Sequence, residues 1–188
     1  MFEDMEESLV IVDLEATCCN QGAVPRHEME IIEIGAVEVE PRTGEIRSEY
    51  QSFVRPVRHP TLTSFCLDLT SISQEDVESA MTFPDVMSDV RSWLTEISLY
   101  DFCSWGIYDR NQFEQDCRYH KVGYPFIGIH RNLKVEFSEA IGVPKKFGVG
   151  GALQKLGMSF DGTPHRGIDD ARNIAKIYAQ VIAPKLSR

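Results

Sequence analysis

The sequence contains few cysteines, no long hydrophobic run and no basic leader segment. Its five cysteines are an odd number with no C-x-x-C pair among them, which argues against a disulfide framework and against a zinc site. We therefore expect reduced thiols that pack as small apolar groups. No apolar run approaches the roughly 18 residues of a membrane span, and the N terminus carries Glu3, Asp4 and Glu6 where a signal peptide is basic. These absences predict a cytoplasmic protein without membrane contact.

Positive charge is also in short supply. Lysine and arginine number 19 against 29 acidic residues, which gives a net charge of -10. A protein that coats a long polyanion by counterion release has the opposite balance, whereas an enzyme that binds only the end of a strand is compatible with this charge. The length of 188 residues and the hydrophobic share of 43% predict one globular domain spanning residues 1–188.

Residues 9–17 predict a buried strand with two acids near its end. Successive side chains of a strand point to opposite faces, so Asp13 and Glu15 share one face while Val12 and Leu14 share the other. Two carboxylates in one small space need a proton or a cation between them at neutral pH. Oxygen ligands favour Mg²⁺ or Mn²⁺ over zinc. An isolated D-x-E pair is also common as ordinary solvated acids, so other segments have to supply further ligands.

The rest of the pattern predicts strands first and then strands alternating with helices. Strands are predicted at 30–39 and 45–54, as an antiparallel pair, and at 99–104 and 124–130. Residues 56–70 are predicted to be irregular, and helices are predicted from 73, from 84, over 109–120, around 133–141, after Gly151 and over 168–182. This order predicts an α/β fold with a mixed central sheet, three antiparallel strands joined by parallel strands, flanked by helices.

Asp109 is a candidate third ligand at the start of a predicted helix. It lies one turn before Phe113 and two turns before Cys117, so it shares their inward face and should look toward the sheet. An acid in the first turn is also stabilised by the helix dipole without any ligand. The position alone leaves both interpretations open.

The last predicted helix offers a choice between two adjacent acids. Asp170 falls beside the apolar stripe of the helix, whereas Asp169 falls with Arg172 on the wet face. Asp170 is therefore the better ligand candidate and Asp169 the better cap. His165 lies on the preceding loop, and an imidazole there is suited to taking a proton from water at neutral pH.

Taken together, these residues form three motifs. They are Asp13-Leu14-Glu15-Ala16-Thr17, then Asp109 at a strand-to-helix junction, then His165 with Asp170 five residues later. The set resembles the signature of the DEDDh exonucleases, the DnaQ-like branch of the RNase H-like fold, and the resemblance covers nearly the whole chain. Residues 62–72 and 155–170 resemble in particular the ERI-1-like 3′–5′ exonucleases. The second motif departs from the pattern, because residues 105–109 are Trp-Gly-Ile-Tyr-Asp where relatives tend to have Gly-Asp-Trp-Asp.

The resemblance implies a metal-dependent 3′–5′ exonuclease that releases nucleoside 5′-monophosphates from single-stranded RNA or DNA 3′ ends, with RNA favoured. It implies two divalent cations, Mg²⁺ or Mn²⁺, and His165 as general base. The implied metal ligands, which are also catalytic residues, are Asp13, Glu15, Asp109 and Asp170. The implied substrate contacts are Ala16, Thr17, Phe65, Thr70 and Ile72. Core packing is the other interpretation of Phe65 and Ile72.

Two other functions stay open. One is a catalytically silent RNase H-like module that binds nucleic acid or protein, although all five catalytic positions carry compatible residues. The other is a metal-dependent phosphohydrolase acting on nucleotides or small phosphate esters, which D-x-E with a distal H-x-x-x-x-D fits less well. Hydrolysis of free monoesters but not of oligonucleotides would favour the phosphohydrolase.

Overall fold

Five strands of the described chain form one mixed sheet, in a computed structural model that describes residues 7–97 and 99–186. In chain order they are β1 (Glu7–Ala16), β2 (Ile31–Val39), β3 (Ile46–Phe53), β4 (Leu99–Ser104) and β5 (His130–Asn132). They lie side by side in the order β3-β2-β1-β4-β5. β2 runs antiparallel to β1 and β3, whereas β4 runs parallel to β1 and β5 parallel to β4. The predicted mixed sheet is confirmed, and the acids Glu3, Asp4 and Glu6 lie outside the described residues.

Helices cover both faces of this sheet. They are α1 (Ser64–Thr70), α2 (Gln74–Ser79), α3 (Phe83–Thr95), α4 (Tyr108–His120), α5 (Leu133–Ala140), α6 (Val149–Lys155), α7 (Gly167–Ile177) and α8 (Ala183–Leu186), with a π-helical turn, Tyr178–Ile182, between the last two. Among the described residues, no helix has the length and apolar character that crossing a membrane requires.

The alternating side chains of β1 divide the core into two layers. Val10, Val12 and Leu14 pack with residues of α3 and α4 on one face. Leu9 and Ile11 pack with residues of α7 on the other. The odd-numbered face of β1, which also carries the two acids of the first motif, is therefore the face covered by α7.

Two glycines allow α7 to begin directly against the sheet. A Cβ on Gly35 of β2 would lie 2.1 Å from the backbone carbon of Gly167 and 2.1 Å from the backbone nitrogen of Ile168. A Cβ on Gly167 would lie 2.9 Å from the carbonyl oxygen of Asp13. Backbone therefore meets backbone where α7 starts, and this contact brings the first turn of α7 next to Asp13.

Three predicted segments differ from the structure. Residues 56–70 are not irregular throughout, because α1 occupies Ser64–Thr70; its first turn is capped by Thr63, whose hydroxyl accepts the Cys66 N–H at 3.1 Å. Cys66 is fully buried, so packing against the core holds this helix. A helix this short shows too little periodicity in the sequence to be predicted. A second difference is at α6, which begins at Val149 and includes Gly150 and Gly151, although the helix is predicted to begin after Gly151.

The strand predicted over 124–130 is wrong, since β5 covers only His130–Asn132. Of the apolar residues before it, Phe126 enters the core, whereas Ile127 and Ile129 are exposed. The Phe126 ring stacks on Phe102 with 4.1 Å between ring centroids and meets Phe113 edge-on at 5.1 Å. Pro125, which has no N–H, could not have donated to a strand ladder.

Candidate active site

Three acids converge where β1 meets the start of α7. Asp13, Glu15 and Asp170 each offer a carboxylate oxygen, and these oxygens lie within 4.8 Å of one another. Glu15 is buried, and the other two are half-buried. The alternation of β1 and the helical phase of α7 thus place these predicted ligands in one cluster, which all-oxygen donors make suitable for a hard divalent cation.

Asp109 lies beside this cluster, in the first turn of α4. It is buried, and its carboxylate accepts a hydrogen bond from the backbone N–H of Leu14 at 3.2 Å. That bond ties α4 to β1 at the residue between the two acids of the strand. Asp109 lines the same cleft as the other three acids, so the structure brings all four predicted carboxylates together.

Burial raises the pKa of every one of these acids, and repulsion from the other acids of the cluster adds to the rise at Asp13 and Glu15. For Asp13, burial and then the charges of Asp109, Asp170 and Glu15 raise the pKa well above its ordinary value. Burial, followed by the charge of Asp170, raises the pKa of Glu15 to about 8. Burial raises the pKa of Asp109 to about 6 and that of Asp170 to about 6. A bound cation would therefore stabilise the charged form of these carboxylates, which is the behaviour expected of a metal site.

His165 lies at the exposed edge of the cleft. Its backbone has a φ of 61°, in the left-handed region that non-glycine residues seldom occupy. Its N–H donates to a carboxylate oxygen of Asp170 at 2.8 Å, which folds the loop back toward the acids. The side chain lines the cleft with them but remains exposed to solvent, as a group that exchanges protons with water must be.

The cleft has a volume of about 560 Å³, which is in the usual range for a small-molecule pocket. Its walls are aromatic and backbone surfaces from four segments of the chain. Besides the acids and the histidine, the lining residues are Leu14, Trp105, Tyr108, Gly148, Val149, Gly150, Phe160 and Pro164. An acidic cluster between flat apolar walls is suited to a phosphate held by cations next to a stacked ring.

The predicted substrate contacts do not line this cleft. Thr70 and Ile72 are fully buried, and the Thr70 hydroxyl donates to the carbonyl of Cys66 at 2.9 Å. Ile72 thus follows the core-packing interpretation. Thr17 is buried and accepts the N–H of Glu30 at 2.9 Å through its hydroxyl, Ala16 is buried too, and Phe65 is half-buried in α1. Contact of these residues with a nucleotide stays a prediction.

Sequence reasoning missed Glu33 and Arg166, which meet next to the acids. Glu33 is fully buried, and its carboxylate accepts from the Arg166 guanidinium at 3.1 Å. A glutamate between two isoleucines, in a strand whose other residues are apolar except for Glu38, was the available signal. It could not be interpreted without knowing that a positively charged partner lies 133 residues away.

Comparison with known proteins agrees with this geometry. The profile of the RNase_T exonuclease family matches residues 10–178. Human 3′-5′ exoribonuclease 1 is 35% identical over 184 residues, which cover 93% of this chain and 52% of that protein; the chain thus spans about half the length of this curated relative.

Solved structures give the same result. The nuclease domain of 3′hExo, a DEDDh family member, bound to rAMP, superposes with a TM-score of 0.83 at 34% identity, over 95% of this chain and 92% of that one. A 3′-exonuclease described for 3′-end specific recognition of histone mRNA stem-loop superposes with a TM-score of 0.81 at 32% identity, over 95% of this chain and 64% of that one. The chain belongs to the exonuclease family that its three motifs predict, and it has the RNase H-like fold of the DEDDh nucleases.

Proposed function

We propose that the protein is a metal-dependent 3′–5′ exonuclease that hydrolyses the last phosphodiester bond of single-stranded nucleic acid and releases nucleoside 5′-monophosphates. The observation that carries this proposal is the convergence of Asp13, Glu15 and Asp170 within 4.8 Å, with Asp109 and His165 lining the same cleft. A single strand is favoured because the scissile phosphate has to reach acids that are recessed in the cleft.

Asp13, Glu15, Asp109 and Asp170 would hold two divalent cations, Mg²⁺ or Mn²⁺. Such cations, when bound, polarise the phosphate and acidify water. The four side chains supply only carboxylate oxygens, and their raised pKa values mark them as groups that a cation stabilises in the charged form. The hydrogen bond from Leu14 to Asp109 fixes one ligand relative to the strand that carries two others.

His165 takes the proton of the attacking water in this proposal. The water oxygen bonds to phosphorus, and the bond from phosphorus to the 3′ oxygen of the preceding nucleotide breaks. The departing 3′ oxygen takes a proton from solvent, so the products are a nucleoside 5′-monophosphate and a strand with a new 3′ hydroxyl. The exposed position of His165 lets the proton pass to solvent, and the half-buried Tyr108 on the cleft wall would contact the departing nucleotide.

RNA is the favoured substrate, with DNA possible. Support comes from the relatives: the curated one is named an exoribonuclease, one structure is bound to rAMP and another concerns a histone mRNA stem-loop. We expect the described residues of the cleft to give no sequence preference, because stacking on aromatic rings tolerates every base.

We also propose that residues 1–188 form one exonuclease domain that acts in the cytoplasm. All five cysteines are free thiols. The two half-buried ones, Cys18 and Cys19, follow β1 and form no disulfide. Free thiols are usual in compartments where glutathione and thioredoxin keep cysteines reduced.

The test is a time course on 5′-labelled single-stranded RNA and DNA of matched sequence, with Mg²⁺, Mn²⁺ or EDTA. Wild type should give a ladder that shortens from the 3′ end with metal and no cleavage with EDTA. Asp170→Asn and Asp13→Ala should remove the ladder with the fold retained, because each deletes a ligand charge. Asp89→Asn, an exposed acid on α3, is the matched control and should cleave at the wild-type rate.

Two results would contradict the proposal. A folded Asp13→Ala protein that cleaves at the wild-type rate would show that cleavage does not depend on the acid cluster. No cleavage of either polymer by folded wild type, with any metal, would favour the silent binding module, and hydrolysis of free monoesters alone would favour the phosphohydrolase.

A further inference from the structure

Glu33 is a buried charge for which the proposed chemistry has no use. It lies on β2 directly opposite Glu15 of β1, with its side chain fully shielded from solvent. One oxygen accepts from the Arg166 Nε at 3.1 Å and from the Gly167 N–H at 3.0 Å. The other accepts from the Arg166 Nη2 at 3.4 Å and from Gln51 at 3.1 Å. Both carboxylate oxygens are thus engaged, and three of the four donor groups belong to Arg166 and Gly167 at the start of α7.

These bonds replace the missing cap of α7. Arg166 is the residue at the N-cap position of that helix, and its side chain makes no capping hydrogen bond. The first free N–H of the helix, on Gly167, is instead satisfied by Glu33 from the sheet. A carboxylate at this position also interacts favourably with the helix dipole.

The bonds from Glu33 to Arg166 and Gly167, called the Glu33 clamp below, hold the segment that carries the proposed chemistry. His165 immediately precedes Arg166, and Asp170 lies in the first turn of α7, so the two functional side chains bracket the bonds to Glu33. The left-handed backbone of His165, with a φ of 61°, is a conformation that surrounding contacts have to maintain. Its one described backbone bond, to Asp170, would not by itself fix the loop relative to β1.

We propose that Glu33 is a positioning residue of the exonuclease site. By binding Arg166 and Gly167 it sets His165 and Asp170 in register with the two acids of β1. This inference rests on the proposed function, because it assigns Glu33 to the arrangement of those groups. Glu33 touches neither substrate nor the reacting atoms.

The test compares Glu33→Gln, Arg166→Gln and the double variant with Glu49→Gln. Glu49 on β3 pairs with Arg172 of α7, so its variant removes another sheet-to-α7 ion pair that lies on the exposed side of the helix. We expect kcat at saturating metal to fall about 10 to 100-fold in each Glu33 or Arg166 variant, with KM for the oligonucleotide within about threefold of wild type. The double variant should be no slower than the slower single one, since the two residues act as a unit.

Glu49→Gln should keep kcat within about twofold of wild type. Should Glu33→Gln not fold, Arg166→Gln carries the test alone, because the Arg166 side chain is 26% exposed and tolerates replacement better. Wild-type kcat in Arg166→Gln, or losses that simply multiply in the double variant, would overturn the inference.

An activity-independent measurement separates this inference from the proposed function. If wild type cleaves neither polymer, the proposed function fails, and amide hydrogen exchange over residues 165–170 decides the role of Glu33. Faster exchange in Glu33→Gln than in Glu49→Gln supports the clamp, whereas equal exchange overturns it.

Discussion

His165 and the four acids differ in how the fold treats them. The acids are buried or half-buried and burial raises the pKa of each, whereas His165 is exposed on a loop. This separation matches a division between groups that hold cations and a group that moves a proton.

His165→Ala should slow cleavage by about 10² to 10⁴-fold, because the proton of the attacking water loses its acceptor. Binding of Mn²⁺, measured by titration calorimetry, should stay at the wild-type level, since the histidine is not a ligand in our proposal. His27→Ala, which removes an exposed histidine from the turn before β2, is the control and should leave the rate unchanged. Loss of Mn²⁺ binding in His165→Ala would make the histidine a ligand and contradict the assignment.

The adjacent acids Asp169 and Asp170 illustrate what helical phase can decide. The structure places Asp170 in the acidic cluster. Asp169 instead accepts the N–H of Thr163 at 2.9 Å and pairs with Arg172 at 3.2 Å. The phase of a 3.6-residue period was enough to predict this difference, because neighbouring residues on a helix point about 100° apart.

At the scale of the element, the contact between α7 and β2 sets the geometry of the cleft. Gly35→Ala should destabilise the protein by about 1 to 3 kcal/mol or more, because the new Cβ meets rigid backbone and no side chain that could rotate away. It should also reduce cleavage, since α7 has to move and takes Asp170 with it. Thermal melting and the ladder assay measure the two effects.

Gly151→Ala is the matched control for this substitution. It lies in α6, where a Cβ would make only ordinary contacts with Phe147 at 3.7 Å and 3.8 Å. Alanine should stabilise this helix by about 0.5 to 1 kcal/mol. A Gly35→Ala protein that melts at the wild-type temperature would contradict the close contact of α7 with the sheet.

At the scale of the whole molecule, the acid cluster should make stability depend on pH and on metal. Burial raises the pKa of Glu15 to about 8 and those of Asp109 and Asp170 to about 6. A raised pKa in the folded state favours folding while the group is protonated, and that stability is lost as pH rises through the folded value. In EDTA the melting temperature should therefore fall between about pH 5 and pH 8.

Adding Mg²⁺ or Mn²⁺ should reverse this fall, because a bound cation stabilises the charged carboxylates. Glu15→Gln should flatten the dependence in EDTA, since it removes a group whose raised pKa of about 8 lies in this range. Differential scanning fluorimetry over this range measures both. A melting temperature in EDTA that rises steadily toward pH 8, in wild type, would contradict the electrostatics derived for the cleft.

The mixed sheet, the family and the candidate acids could be predicted from the sequence, because they depend on local periodicity and on short motifs. The shared face of Asp13 and Glu15 and the phase of Asp170 follow from strand and helix geometry alone. The tertiary structure was needed to show that α1 is a helix, that Phe126 enters the core instead of a strand, and that Thr70 and Ile72 are buried. It alone revealed the Glu33 clamp and the contact of Gly35 with Gly167, since both join segments more than a hundred residues apart, and no local pattern records which distant backbone a residue will meet.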